Sequence, residues 1–104
     1  MQQGEIRARL DAGSPTAYVV VVSGQRYLAA KKGRVVVCRV VPGVVPEDFT
    51  SVHRVRYRDD SGTDTIGVAV PDLIQWIPES GLGPVAGVVS DLPELLRIVN
   101  ALFR

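Results

Sequence analysis

Tyr18-Val19-Val20-Val21-Val22-Ser23 and Arg34-Val35-Val36-Val37-Cys38-Arg39-Val40-Val41 are the two stretches whose reading decides the fold. β-Branched side chains lose rotamer freedom in a helix and pack well on a pleated surface, so unbroken valine runs read as strands buried on both faces. Working outward, Ile6, Ala8 and Leu10 alternate with Glu5, Arg7 and Arg9, the pattern of a first strand with one wet face. Between the valine runs, Gly24 opens a connection that carries Gln25, Arg26 and Tyr27 and continues to Gly33. Pro42-Gly43 closes the third strand, and the segment up to Ser51, with Pro46, Glu47 and Asp48, has the composition of a surface loop with room for one helical turn.

Residues 52–58 predict a fourth strand. Asp59-Asp60-Ser61-Gly62 has the residue types of a hairpin turn, and Thr63 to Val70 returns antiparallel beside it. Pro71 is expected to interrupt that ladder, with Leu73, Ile74, Trp76 and Ile77 forming a further short strand or bend that buries the one tryptophan in the core. A short apolar piece at Val85 to Val89 follows. The C-terminal end predicts a helix: Asp91 stands where its carboxylate caps the first-turn amides, Pro93 is tolerated there, and Glu94 is placed to reach back. Leu92, Leu95, Leu96, Val99, Leu102 and Phe103 then recur at helical spacing. The fold class is α+β, mainly β: an antiparallel-dominated, strongly curved sheet or partly open barrel of five to seven strands under one amphipathic helix.

The 104 residues, 46% apolar and 22% charged, suit one domain over 1–104 with an ordinary core. No apolar stretch approaches the ~20 residues that span a bilayer, and Met1 to Glu5 lacks the features of a secretory signal, so no membrane association and a cytoplasmic location are expected. Cys38 has no second cysteine to pair with and reads as a buried structural thiol. A formal charge of +1 excludes a uniformly basic coat, but Arg54, Arg56 and Arg58 share one strand face, as do Arg7 and Arg9. Those faces are either solvated outer surfaces or anion-binding ones. His53, the one histidine, opens the arginine-rich strand; an imidazole suits acid–base work, although strand-edge histidines are commonly just exposed. No phosphate loop, dinucleotide fingerprint, His/Cys metal spacing or nucleophile elbow is present, and Ser23 reads as a strand terminator.

Gly4-Glu5-Ile6, the run Val19 to Ser23, Val35 to Pro42, Gly67-Val68-Ala69-Val70 before Asp72, Leu73 to Pro78, the Leu82 to Val89 segment and Pro93-Glu94-Leu95-Leu96 stand in an order that resembles the MazF/PemK (Kid-like) toxins of type II toxin–antitoxin systems. The resemblance covers nearly the whole chain and implies a small SH3-like, CcdB–MazF-like barrel with a C-terminal helix. It implies a homodimeric endoribonuclease that cuts single-stranded RNA at short sequences, uses no metal or cofactor, and is silenced by a cognate antitoxin peptide segment.

Two positions depart from the family pattern. Its Arg-Pro before the second strand is replaced by Thr16-Ala17-Tyr18, and its Thr/Ser pair after the third by Pro42-Gly43-Val44. The family's acidic residue after the Gly-Val strand is retained as Asp72, while Val70 stands where some members place an arginine. The resemblance and the topology together nominate Arg9, Thr16 and Asp72 as catalytic and Arg7, Arg26, Arg54 and Arg56 as RNA-binding, with Ser14 a further hydroxyl donor. The two vacated positions keep open a non-nuclease alternative of the same fold: a CcdB-like gyrase inhibitor, or a degenerate member that only binds a partner. Asn100 to Arg104, however, does not end like a CcdB tail.

Overall fold

The two valine runs lie side by side in the middle of a six-stranded antiparallel sheet, in a computed structural model that describes residues 1–10, 16–43 and 52–102. The elements are β1 (Glu5–Arg9), β2 (Ala17–Val21), α1 (Gln25–Ala29), β3 (Arg34–Pro42), β4 (His53–Arg58), β5 (Asp64–Pro78), a 3₁₀ turn (Glu79–Gly81), β6 (Leu82–Val88) and α2 (Leu92–Ala101). Across the sheet the order is β4-β5-β3-β2-β1-β6. The loop expected before Ser51, together with Ser14 and Phe103, lies outside the described residues.

Curvature follows from what the inner face must bury. Tyr18 on β2 and Tyr57 on β4 are separated in the sheet by two strands, yet their rings meet with centroids 4.6 Å apart. The sheet has rolled far enough for them to touch. Its ends then come together at Gly87 of β6, where a Cβ would stand 2.9 Å from the Arg56 carbonyl of β4. Only a residue without a side chain lets the two backbones approach this closely.

The valines of β2, with Val22 just after it, divide between two cores. Val20 and Val22 point inward with Ile6, Cys38, Val40, Val55, Tyr57 and Ala69, and α2 inserts Leu95 and Val99 into the same cluster. Val19 and Val21 point outward into a second cluster with Val35, Val37, Ile77 and Leu82, closed over by Met1 and by Leu28 of α1. An isolated sheet with one wet face would leave half of these valines in water. Here the outer face is covered at one end, which is why the runs are continuous rather than alternating. Ser23 ends β2 as expected, its hydroxyl accepting the Val36 N–H at 2.6 Å.

Four expectations need correction. Pro71 does not end the fifth strand: β5 runs on to Pro78, and Pro71, Asp72 and Leu73 form a bulge, because Arg39 pairs with Val70 while its neighbour Cys38 pairs with Ile74. A proline has no N–H to offer the ladder, and a bulge asks for none. Trp76 is not core; it is 57% exposed. The connection after Gly24 includes the five-residue helix α1, which has no side-chain cap and so carries little local signal. In α2 the Asp91 carboxylate does accept the Glu94 N–H, at 3.3 Å, but Glu94 turns outward to Arg97 at 2.7 Å instead of reaching back. No helix of the described residues is long and apolar enough to cross a membrane.

Candidate functional site

The outer face of the sheet changes character along β3. Val35 and Val37 are buried in the outer cluster, and two residues further along the same face Arg39 is exposed. There a cleft of about 570 Å³ opens, lined by Arg9, Ala17, Val19, Arg39, Asp72, Leu73, Ile74 and Gln75. The register explains the assembly. Arg9 stands directly across from Ala17, and Arg39 across from Val19, so both guanidinium groups leave the same face from strands either side of β2. Asp72 arrives by the bulge: with three residues looped out, buried Pro71 anchors the backbone and the carboxylate of Asp72 is turned out over the cleft.

Of the nominated residues, Arg9 and Asp72 therefore share a site. Thr16 lies next door, in a smaller pocket of about 270 Å³ that shares Ala17 and Arg39 with the cleft and is backed by Tyr18 and Tyr57. Its hydroxyl donates to Asp60 at 2.8 Å, which ties the hairpin tip to the start of β2. Burial pushes both tyrosine phenols up, and the charges of Asp59 and, for Tyr18, Asp60 add to it, so both remain neutral hydroxyls at neutral pH.

The remaining candidates lie elsewhere. Arg7 is on the first strand but committed: its guanidinium donates to the Gly83 carbonyl at 2.9 Å and to Glu5 at 3.0 and 3.2 Å, leaving its side chain 18% exposed. Arg54 and Arg56 do share an exposed face, but it borders a separate pocket with His53, Ile66, Ser90 and the α2 residues Asp91, Glu94 and Ile98. Arg58 on that face sits 3.6 Å from Asp64. Arg26 projects from α1. The arginine strand is thus not a wall of the Arg9–Asp72 cleft. Cys38 takes no part in polar chemistry; burial raises its thiol to about 12.

Sequence reading missed Arg39. The signal was present: it is the one charge inside an eight-residue apolar run from Val35 to Pro42, at the same parity as Val35 and Val37. A lone cation on a face otherwise filled with valine marks the place where cover ends.

A model of the family described as type II toxin–antitoxin system toxin Rv0299 matches residues 4–102. The chain belongs to this family. It is similar to Toxin Rv0299 of Mycobacterium tuberculosis (strain ATCC 25618 / H37Rv), with 36% identity over 101 residues, covering 95% of the chain and 94% of that relative. Among solved structures it is similar to an endoribonuclease in complex with its cognate antitoxin from a mycobacterial species (TM-score 0.72, 15% identity, 99% and 94% of the two chains). It also matches MazE–MazF from Deinococcus radiodurans (0.69, 18%, 99% and 94%) and the Mycobacterium tuberculosis toxin MazF-mt6 (0.68, 17%, 95% of each). At these identities the structural matches show the fold alone, and that fold is MazF-like. In this Rv0299-family toxin, Ala17, at the site where the family resemblance expects Arg-Pro, lines the cleft between Arg9 and Arg39.

Proposed function

We propose that this Rv0299-family toxin is an endoribonuclease that cuts single-stranded RNA in the Arg9–Arg39–Asp72 cleft. One observation carries the reading: the stretch Thr16-Ala17-Tyr18, which stands where the family resemblance expects Arg-Pro, is flanked by Arg9 on β1 and, on the other side of β2, by Arg39 on β3, and both line one open cleft with Asp72. Two guanidinium forks from the strands on either side of β2 can do together what a single arginine does from the position between them.

The step needs no oxidant and no cofactor. The Asp72 carboxylate takes the proton of a ribose 2′-hydroxyl, the 2′-oxygen bonds to the adjacent phosphorus, and the bond from phosphorus to the 5′-oxygen breaks. A water in the open cleft gives a proton to that 5′-oxygen and takes one back from the protonated Asp72, leaving a 2′,3′-cyclic phosphate, a 5′-hydroxyl and the carboxylate restored. Arg9 and Arg39 hold the non-bridging oxygens as negative charge grows on them. The toxin works in the cytoplasm as a homodimer, for which the exposed Leu10, just after β1, and Val85 and Val88 of β6 supply apolar surface. It is held silent by an antitoxin segment whose acidic side chains compete for the same guanidinium groups.

The test is incubation of the pure toxin with a long RNA in EDTA. Fragments with cyclic phosphate ends are expected, and removal of either charge, by Arg39→Ala or Asp72→Asn, should slow their release by about 10²–10³-fold. Cleavage unaffected by both substitutions would remove the cleft from the reaction. Intact RNA together with inhibited DNA supercoiling would move the toxin to the gyrase-poison reading, which the departures at Thr16-Ala17-Tyr18 and Pro42-Gly43-Val44 favour. Sedimentation at twice the 11.2 kDa chain mass is the expected state in solution.

A further inference from the structure

The charge of the chain is unevenly placed. Between Ser23 and Gly43 there are five Lys or Arg and no Asp or Glu, while the rest of the chain has seven against eleven. Four of the five, Arg26, Lys31, Lys32 and Arg34, lie on or just after α1, all four are exposed, and among the described residues none forms an ion pair. The acidic residue that reaches this segment is Glu79, through its backbone N–H to the Gly33 carbonyl at 2.9 Å.

Trp76 belongs to the same rim. Val36 pairs with Trp76 and Arg34 with Pro78, so Arg34 and Trp76 lie diagonally on one face of the sheet. Tyr27 of α1 meets the indole edge-on, with centroids 5.4 Å apart at 63°, which holds the ring while 57% of the residue stays in solvent. On the strand beside it, β4 pairs with Asp64 to Ala69 only, so among the described residues the second half of β5 has a free edge. Gln75, the neighbour of Trp76, lines the Arg9–Asp72 cleft. Successive strand residues face opposite ways, so a chain leaving that cleft reaches Trp76 by passing round the free edge of β5.

We infer that the Trp76 rim is a second single-stranded nucleic-acid contact, in which one base outside the scissile step stacks on the indole while Arg26, Lys31, Lys32 and Arg34 hold the flanking phosphates. A braced, solvent-facing aromatic ring with mobile cations around it is how single strands are gripped without regard to sequence. Carboxylates alone would satisfy the cations but cannot stack on the flat exposed ring, as a base does. The identity of the ligand rests on the ribonuclease reading; the test does not.

Trp76 is the only tryptophan of the chain, so its emission reports on this surface directly. The probe is an eight-residue oligothymidylate, which lacks the 2′-hydroxyl and survives. Quenching of Trp76 is expected, with affinity falling about 20-fold between 50 and 200 mM salt if roughly three phosphates are held. A Lys31→Glu/Lys32→Glu double variant should weaken binding at least about 10-fold. Trp76→Ala, followed with a labelled oligonucleotide, should weaken it by a similar factor. Arg39→Ala should leave the quenching in place, so that loss of cleavage with retained quenching separates the two sites. Quenching should likewise persist if the native toxin cuts no RNA, in which case the rim stands and the ribonuclease reading falls. Three results would overturn the inference: emission unmoved by the oligonucleotide, quenching by polyglutamate in its place, or a blue shift with rising protein concentration alone, which would put Trp76 between two copies of the chain.

Discussion

Glu5 shows how one polar pair is tuned. Burial works against its charge, but the Gln2 N–H at 2.8 Å and the Arg7 guanidinium outweigh that and hold the carboxyl below its ordinary 4.5. The side chains are 14% and 18% exposed, so this is not a solvent-screened surface pair. With the folded-state value depressed, its stabilisation is complete above the ordinary carboxylate range and is lost as pH falls through the lowered value. Glu5→Gln should therefore cost about 1–2 kcal/mol at pH 7 and flatten the acid limb of the stability curve. Urea melts from pH 3 to 7 measure both; parallel curves for the two proteins would mean that Glu5 contributes no pH dependence. The same contacts explain why Arg7, equally eligible with Arg9 by strand parity, is structural. Parity places both on the outer face, but only the register with β6 brings the Gly83 carbonyl against Arg7.

At the level of elements, the legible parts were those written in local chemistry. β-Branched runs announced β2 and β3, turn residues announced the β4–β5 hairpin, where the Asp59 carboxylate accepts the N–H groups of Ser61 and Thr63, and the cap announced α2. The hidden parts depend on pairing across the sheet. Pro71 looks like a terminator until the partner strand shows that it sits in a bulge, and that bulge is what delivers Asp72 to the cleft. Trp76 looks like core because tryptophan among aliphatic residues usually is; its partner Val36 packs at the margin of the inner core, while Trp76 itself stays 57% exposed with Tyr27 against its edge. The cap of α2 can be tested alone. Asp91→Ala removes the acceptor for the Glu94 N–H, which typically costs about 1 kcal/mol. For a chain of this length that is a fall of about 4–8 °C in Tm. Asp91→Asn, which still accepts, should recover most of the loss; equal losses in both variants would show that the carboxylate's charge at the helix N-terminus, not the hydrogen bond, is what counts.

At the scale of the whole molecule the cleft depends on how the sheet is rolled. Arg9, Arg39 and Asp72 lie on three strands, and their common orientation is set by a curvature that ends where β6 meets β4. Gly87 is the point of closest approach: a Cβ there would stand 2.9 Å from the Arg56 carbonyl, 3.2 Å from Tyr57 Cα and 3.3 Å from Tyr57 Cβ. Two of these neighbours are backbone and cannot swing aside, so Gly87→Ala must push the strands apart, at a cost of about 1–3 kcal/mol. Tyr57 sits directly behind, its ring tilted at 40° against Tyr18 with centroids 4.6 Å apart, and Tyr18 backs the pocket that shares Arg39 with the cleft. The strain is therefore aimed at the site as well as at stability. Gly87→Ala should lower both Tm and RNA cleavage, whereas Gly62→Ala, in the exposed hairpin where φ is +83° and nothing lies within 4 Å, should lower Tm and leave the cleavage rate of the folded fraction intact. Equal cleavage rates per folded molecule in the two variants would uncouple barrel closure from the cleft.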